Sequence, residues 1–314
     1  MSDSSVITVG FCPAWDITCI SDSVDWGQHC KVSQVSVPAG KAMNISKALA
    51  WMGQKSTAAG LWGQNDWSAA HKMLADRSPL IDLRCTVVPG GTRQNITVID
   101  THSRREMHLR ADCKLATGPT LNHLRTDLDS FVKSGDVVAF AGSMPQGKLL
   151  DDCISLIERV RDRGAKVVID SSGPALARAV KLGGLYAIKP NLEELRQLLN
   201  RPIDNDPHEI IAAARTLKDK VQIVLASRGK EGALAVTADR AVGCCVRTFR
   251  GNTVNTVACG DYLLAGFLIG DEKADLCVHL ENAVRVAAAR AWGLTESIDW
   301  PTARVQIEIE TTIF

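Results

Sequence analysis

The chain has 314 residues, of which 46% are hydrophobic and 23% are charged, and its formal net charge is +1. This composition is typical of a folded globular protein and excludes long disordered or collagen-like segments. The near-zero net charge excludes the broad positive field of proteins that bind nucleic acid or anionic membranes. A chain of this length buries roughly 75% of its unfolded surface, so we expect a single domain over residues 1–314.

The ten cysteines are scattered, and no Cys-x-x-Cys pair occurs among them. The spacing therefore indicates neither a zinc knuckle nor a thioredoxin-type redox pair. Buried thiols in a reducing cytosol explain this usage better than disulfides do. The amino-terminal sequence lacks the basic and apolar regions of a signal peptide, and the apolar runs are shorter than the ~20 residues of a membrane span. We expect a cytoplasmic protein without a membrane partner.

Short apolar strands alternate with amphipathic helices, which predicts an α/β fold with a mostly parallel sheet. The predicted elements before residue 120 are a strand at Val6–Phe11 and helices at Asn44–Met52 and Asp66–Ala75. The predicted elements after residue 120 are, in chain order, helix Leu121–Lys133, strand Val137–Ala141, helix Leu149–Arg163, strand Lys166–Asp170, a short helix from Ala175, strand Ala187–Lys189, helices Glu193–Leu199 and Pro207–Lys218, strand Gln222–Ala226, a hairpin over Ala233–Val246, and helices Leu263–Ile269 and Cys277–Ala291.

Two stretches depart from this pattern. Thr18–Ser36 and Thr86–Arg110 alternate between apolar and polar residues, as half-buried strands do. They predict a small separate sheet, formed by roughly 17–36 and 86–111 and inserted into the α/β core. A lid over a site is one use of such a sheet, and a contact between two copies of the chain is another.

Small residues precede an apolar helix in the segment from Asn255 to Asp261, whose last four residues are Ala258, Cys259, Gly260 and Asp261. Bare amides and the helix dipole at such a point form an anion site that suits a phosphoryl group in transfer. An aspartate there can accept the proton of an attacking hydroxyl. An ordinary aspartate cap of a helix explains the same pattern.

Three further motifs are each open to two interpretations. Pro38–Asn44 is a small-residue turn that either holds a sugar hydroxyl or phosphate around Lys41 or merely connects a strand to a helix. Asn191 and Glu194 either face hydrated magnesium or form a capping box. The basic residues of the second alternating stretch either pair with a phosphate or form a solvated face; they are Arg93, Arg104, Arg105, His108 and Arg110.

A near match to a phosphate-binding P-loop occurs at Gly142–Lys148. Leu149 follows the lysine, where that loop needs a hydroxyl for magnesium, and Pro145 removes one amide donor. The segment is therefore not expected to act as a Walker loop. Ser227–Gly232 closes another strand, which is where open α/β sheets bind ligands.

The order and spacing of these motifs resemble the ribokinase-like, PfkB-type carbohydrate kinases over nearly the whole chain, in the branch of 1-phosphofructokinases and tagatose-6-phosphate kinases. The matching segments are Cys12–Asp16, Ala39–Asn44, Thr92–Asn95, Gly142–Gly147, Asp170–Gly173, Lys189–Glu194, Ser227–Gly232 and Gly260–Asp261. The resemblance implies a three-layer α/β/α sandwich with a central, mostly parallel sheet and a small β-sheet lid.

The resemblance also implies roles for individual residues. Asp261 would be the general base, and the amides of Ala258, Cys259 and Gly260 would complete an anion hole. The residues implied to bind the sugar phosphate are Asp16, Gly40, Lys41, Asn44, Arg93, Arg110 and Ser143. The residues implied to bind the nucleotide are Lys189, Asn191, Ser227, Gly229, Gly232, Gly260 and Asn282, and those implied to bind Mg²⁺ are Asn191 and Glu194.

The implied reaction is the phosphorylation of a ketohexose phosphate by ATP with Mg²⁺. Fructose 1-phosphate is the first choice of acceptor, and fructose 6-phosphate and tagatose 6-phosphate are the alternatives. An inactive sugar-phosphate-binding protein is a further alternative, because Ala42 and Ala258 replace glycines of the family pattern and Cys12 replaces an asparagine. Ala258 is harmless at negative φ but adds strain of about 1 kcal/mol where φ is positive. The lid arginines argue against a kinase for uncharged sugars or nucleosides.

Overall fold

The structure is a computed structural model that describes residues 5–247, 253, 256–269 and 274–314. Asn255, the first residue of the segment that ends at Asp261, lies outside the described residues. The strands of the described chain are β1 (Val6–Gly10), β2 (Ala14–Ser21), β3 (Ser33–Ala39), β4 (Ser56–Gly63), β5 (Ile81–Val88), β6 (Arg93–Asp100), β7 (Arg105–Arg110), β8 (Val137–Ala141), β9 (Lys166–Asp170), β10 (Leu185–Ile188), β11 (Val221–Ser227), β12 (Ala233–Val236), β13 (Ala241–Val246) and β14 (Ile309–Ile313). The α-helices are α1 (Lys41–Trp51), α2 (Trp67–Arg77), α3 (Gly118–Phe131), α4 (Lys148–Asp162), α5 (Gly173–Leu182), α6 (Leu192–Leu199), α7 (Pro207–Arg215), α8 (Cys259–Leu268), α9 (Leu276–Ala291) and α10 (Trp300–Gln306).

A ten-stranded sheet forms the centre of the molecule, in the order β14-β13-β12-β11-β10-β9-β8-β1-β4-β5. Neighbouring strands from β11 to β5 are parallel, and those from β11 to β14 are antiparallel. One apolar cluster joins one face of the sheet to α3, α4, α5 and α7, and a second joins the other face to α1, α8 and α9. Strands covered on both faces become continuous apolar runs, as Val137–Ala141 shows. The predicted α/β/α sandwich is confirmed.

The second sheet has four strands in the order β3-β2-β6-β7. Its position in the sequence corrects the predicted insertion at 86–111, because Ile81–Val88 belongs to the large sheet and the small sheet resumes only at Arg93. Ile81–Val88 is the edge strand of the large sheet and is only partly buried, with Asp82 and Arg84 exposed. A period of two therefore identifies a half-buried strand but not the sheet to which it belongs.

Several elements were not predicted at all, among them β4, α10 and β14. β4 is rich in small residues, and Gly60 explains why. A Cβ at Gly60 would lie 2.1 Å from the carbonyl oxygen of Gly10 in β1, so only glycine fits there. Such residues weaken the apolar signal of a strand. Among the described residues, no helix has the length and apolar character needed to cross a membrane.

The strand order reverses between β1 and β8, and this reversal positions the candidate site. Open α/β sheets bind ligands in the crevice at the carboxyl ends of strands beside such a point. β1, β8 and β9 end there at Gly10, Ala141 and Asp170. α1 begins at Lys41, three residues earlier than predicted, and α8 begins at Cys259, four residues earlier. The candidate functional segments around Lys41 and Asp261 therefore lie in the first turns of α1 and α8.

Candidate active site

Asp261 lies in the first turn of α8 and is buried, with 5% of its surface exposed. Ala258 is the N-cap residue of this helix, and its methyl group cannot accept hydrogen bonds from the first-turn amides. The N–H of Cys259 donates to the carbonyl of Thr256 at 3.4 Å, and the start of the helix presents the positive end of its dipole without a side-chain cap. The φ of Ala258 is 67°, so this alanine lies in the left-handed region. Of the two cases that the sequence allows, the strained one with positive φ therefore applies.

Asn44, in the first turn of α1, connects that helix to α8. Its Nδ2 donates a hydrogen bond of 2.8 Å to Oδ2 of Asp261. Burial, followed by the nearby charge of Asp170, raises the pKa of Asp261 to about 7, although this hydrogen bond and the charge of Lys41 oppose the rise. A carboxylate that titrates near neutrality is suited to accept a proton from a hydroxyl group.

Asp170 ends β9, is fully buried, and is shared by two lysines. Its Oδ1 lies 2.9 Å from Nζ of Lys41 and 3.4 Å from Nζ of Lys189. Burial alone would lower the pKa of Lys41, but the adjacent carboxylate of Asp170 raises it above its ordinary value. In the sequence, Asp170 is recognisable only as part of the Asp170–Gly173 loop, and its role as the shared counter-ion is not predicted. The available signal was an acidic residue at the end of an otherwise apolar strand.

Two glycines permit close approach around these lysines. A Cβ at Gly260 would lie 3.3 Å from Nζ of Lys189, so glycine lets the start of α8 approach that ammonium group. Gly142 has a φ of 103°, and a Cβ there would contact Cβ of Lys41 at 3.6 Å. The exposed Ser143 follows in the same loop. The structure thus brings Lys41, Lys189, Gly260 and Asp261 together, with the Ser143 loop beside them.

A cavity of about 950 Å³ lies between the small sheet, α1 and the start of α8. Asp16, Asn44, Arg110 and Ala258 all line it, so these sequence-predicted residues share one space. Asp16 is held by Asn95, whose Nδ2 donates to its Oδ1 at 3.0 Å. A carboxylate only accepts hydrogen bonds, so the NH₂ end of Asn95 must face Asp16. The sequence indicates Asn95 only as the last residue of the Thr92–Asn95 segment, and its contact with Asp16 is not predicted.

Arg93 has a different geometry from the one expected. Its Nε, Nη1 and Nη2 donate to the carbonyl oxygens of Pro13, Ala111 and Cys12 at 3.3, 3.0 and 3.2 Å. These bonds engage three of the five N–H groups of the guanidinium. Arg93 therefore links the two chain segments that connect the small sheet to the core, and two N–H groups remain for another ligand.

The loops predicted to bind nucleotide lie side by side at the ends of β10 and β11. The backbone N–H of Ser227 donates to the carbonyl of Pro190 at 3.0 Å, next to Lys189. Gly229 and Gly232 have φ values of 60° and 81°, and a Cβ at Gly232 would lie 2.0 Å from the carbonyl oxygen of Cys244. The tight turn after Ser227 therefore requires glycine. Asn282 is a buried residue of α9.

Asn191 and Glu194 form a reciprocal capping box at the start of α6. The N–H of Glu194 donates to Oδ1 of Asn191 at 2.8 Å, and the N–H of Asn191 donates to Oε2 of Glu194 at 2.9 Å. No group of three or more His, Cys, Asp or Glu side chains within the described ranges is arranged to hold a metal ion. Within the described part of the chain, Oδ2 of Asp170 is buried without a hydrogen-bond partner. This donor set fits Mg²⁺ carried on a nucleotide, since that ion takes few ligands from the protein.

Comparisons with known proteins agree with this arrangement. The family model described as pfkB family carbohydrate kinase matches residues 6–293. The 1-phosphofructokinase of Haemophilus influenzae is 29% identical over 272 residues, which cover 86% of this chain and 85% of the relative. The tagatose-6-phosphate kinase of Staphylococcus epidermidis is 25% identical over 320 residues, or 98% of this chain and 97% of the relative.

A solved structure supports the same fold. The crystal structure of phosphofructokinase-2 from Escherichia coli in complex with substrates and products matches with a TM-score of 0.87 at 24% identity, covering 96% of this chain and 98% of that chain. The family model covers far more than half of the sequence, and the motifs on which the resemblance rested lie within it. The chain belongs to the pfkB family of carbohydrate kinases and is therefore a phosphotransferase.

Proposed function

We propose that this kinase transfers the γ-phosphoryl group of ATP to a hydroxyl of a ketohexose phosphate, with fructose 1-phosphate as the first candidate. The observation that carries the proposal is the buried carboxylate of Asp261, held by Asn44 at the uncapped start of α8 and beside the cavity that Asp16 lines. Relatives named 1-phosphofructokinase, tagatose-6-phosphate kinase and ATP-dependent 6-phosphofructokinase support the substrate class.

In the proposed mechanism, Asp261 accepts the proton of the sugar hydroxyl as its oxygen attacks the γ-phosphorus. Asn44 occupies Oδ2 of the carboxylate and leaves Oδ1 to take the proton. The first-turn N–H groups at Ala258–Asp261 and the helix dipole stabilise the charge that develops on the transferred group. The side chain of residue 258 takes no part, so the alanine keeps the donor that the family's glycine supplies.

Lys41 and Lys189 complete the charge balance around the transferred group. Both ammonium groups lie within 3.4 Å of the carboxylate of Asp170, and in the proposed mechanism they also contact the phosphates of ATP. Bound Mg²⁺ supplies further neutralisation of those phosphates, with Asn191, Glu194 and the unpartnered oxygen of Asp170 as the residues that would hold it. The turn around Ser227, Gly229 and Gly232, together with Asn282, is the proposed nucleotide side of the site.

The sugar would be oriented by Asp16, Gly40 and Asn44. Its phosphate would be bound by Arg110 in the cavity wall, by Ser143, and by the remaining N–H groups of Arg93. The small sheet closes over this cavity as a lid, which excludes water as a competing acceptor.

The small sheet is also the proposed contact between two copies of the chain. Met107 and Leu109 lie two residues apart on β7 and therefore on one face of the sheet, and they are 41% and 48% exposed. A dimer through this sheet would cover them. Sedimentation of the wild type beside a Leu109→Lys variant tests this contact, since the variant should shift the protein toward monomer.

A coupled assay of ATP consumption tests the reaction. Fructose 1-phosphate, fructose 6-phosphate and tagatose 6-phosphate are each supplied with ATP and Mg²⁺, with unphosphorylated fructose as the control acceptor. We expect turnover with one of the sugar phosphates and little with fructose. Binding of a sugar phosphate by calorimetry without any ATP consumption would instead indicate an inactive binding protein and would contradict the proposal.

A further inference from the structure

Two cysteines stand on the chain segments that connect the small sheet to the core. Cys12 lies two residues before β2, through which the chain enters the sheet, and Cys113 lies three residues after Arg110, where β7 leaves it. The entry and exit segments run side by side at this point. Cys12 is also the residue that departs from the asparagine of the family pattern.

Contacts between the entry and exit segments bring these two thiols together. The thiol of Cys113 donates to the carbonyl oxygen of Phe11, the neighbour of Cys12, at 3.8 Å, and each of the two thiols shifts the pKa of the other. Arg93 donates to the carbonyl of Cys12 at 3.2 Å and to that of Ala111 at 3.0 Å. The guanidinium therefore holds the same two segments together on which the thiols lie.

The two thiols have different chemical character. The hydrogen bond from Cys12 lowers the pKa of Cys113 despite partial burial, and backbone N–H groups and the charge of Arg93 add to this effect. The same hydrogen bond, together with burial, raises the pKa of Cys12. Burial raises the pKa of Cys85 to about 12, which is the ordinary behaviour of an inert buried thiol. Cys113 is thus suited to attack an oxidant, and Cys12 is suited to attack Cys113 afterwards.

We propose that Cys12 and Cys113 are a modification site for hydroperoxides, which oxidise the pair to a disulfide across the two connections of the small sheet. The thiolate of Cys113 attacks one peroxide oxygen, the O–O bond breaks, and a sulfenic acid forms while the other oxygen leaves as water after taking a proton. The sulfur of Cys12 then attacks the sulfenic sulfur, the S–S bond forms, and the S–O bond breaks to release a second water. One hydrogen peroxide is reduced to two waters as two thiols become one disulfide.

The disulfide would restrain the sheet that carries Asp16 and Arg110. Its effect on turnover rests on the proposed function, because it assumes that the small sheet must move over the sugar. The formation of the disulfide does not, since it depends only on the two thiols and the oxidant. The experiment can therefore distinguish a failure to form the disulfide from a failure of the disulfide to change turnover.

The test exposes protein carrying Cys30→Ser, which removes the one exposed cysteine of the described chain, to a few equivalents of hydrogen peroxide at neutral pH. We expect peptide mapping without reductant to show a cross-linked pair containing Cys12 and Cys113, reversed by dithiothreitol. Adding Cys12→Ser should leave a sulfenic acid on Cys113 that dimedone traps, and adding Cys113→Ser should abolish the cross-link and leave Cys12 reduced.

The Cys30→Ser protein without peroxide is the control for folding and for turnover. Finding both cysteines still reduced after other thiols have reacted, or Cys113 driven to sulfinic acid without a cross-link, would overturn the proposal. If the cross-link forms in a protein that phosphorylates no sugar, the proposed disulfide is supported and the proposed substrate class is contradicted. Full turnover after complete cross-linking would show that the disulfide does not restrain the movement of the small sheet, and it would refute that part of the inference.

Discussion

Replacing Asp261 with asparagine tests the buried carboxylate through stability, independently of any substrate. The pKa of this group rises from its ordinary value of 3.8 to about 7 on folding. The folded protein therefore binds the proton more tightly than the unfolded chain. The associated stability is fully present below about pH 4 and is lost as the pH rises through about 7. A displacement of about three pH units corresponds to about 4 kcal/mol.

Asp261→Asn keeps the shape of the side chain and removes the charge. We expect the variant and the wild type to unfold at similar urea concentrations near pH 4, and the variant to become more stable as the pH rises. The gain should level off above about pH 7 at about 4 kcal/mol or somewhat less, since repulsion by Asp170 contributes part of the displacement. Urea unfolding followed by tryptophan fluorescence at pH 4 to 9 measures it.

Asp136→Asn is the matched control. Asp136 is also buried, but it accepts hydrogen bonds from the N–H and hydroxyl of Ser5 at 3.1 and 2.9 Å and from the N–H of Lys133 at 2.8 Å. Removing its charge weakens charge-assisted bonds, so this variant should be less stable than the wild type at pH 8. A pH-independent difference for Asp261→Asn, or a loss of stability at pH 8, would refute the reasoning.

Four further predictions concern the candidate site. Asp261→Asn should lower kcat by at least ~10²-fold while both substrates still bind in calorimetry, and near-normal turnover would contradict its role as base. In the wild type, kcat/KM should fall as the pH drops below about 7, because protonated Asp261 cannot accept a proton. A kcat/KM that stays constant down to about pH 4 and falls only there would contradict this. Ala258→Gly should raise stability by up to about 1 kcal/mol by relieving the positive φ, whereas Ala69→Gly, in an exposed turn of α2, should lower it by about the same amount. Arg93→Ala should raise the KM for the sugar phosphate far more than the KM for ATP, and equal effects would argue for a purely structural role.

The alternation of strands and helices could be predicted from the sequence because it depends on local periodicity. Val137–Ala141 and Lys166–Asp170 were predicted with their observed bounds, since each is an apolar run bounded by turn residues. The start of α8 was predicted less well, because the small residues at Cys259 and Gly260 are as typical of a turn as of a helix. The family and the fold also followed from the sequence, through the order of its motifs.

The contacts within the site depend on how distant segments meet, and no local pattern encodes them. Asp170 becomes the counter-ion of Lys41 and Lys189 because parallel strands end at one edge of the sheet beside the start of α1. Whether the φ of Ala258 is positive is set by the path of the chain into α8, and the pKa of Asp261 is set by burial and by the charge of Asp170. Periodicity and propensity act over a few neighbouring residues, whereas burial and charge coupling are summed over everything that the fold packs around a group.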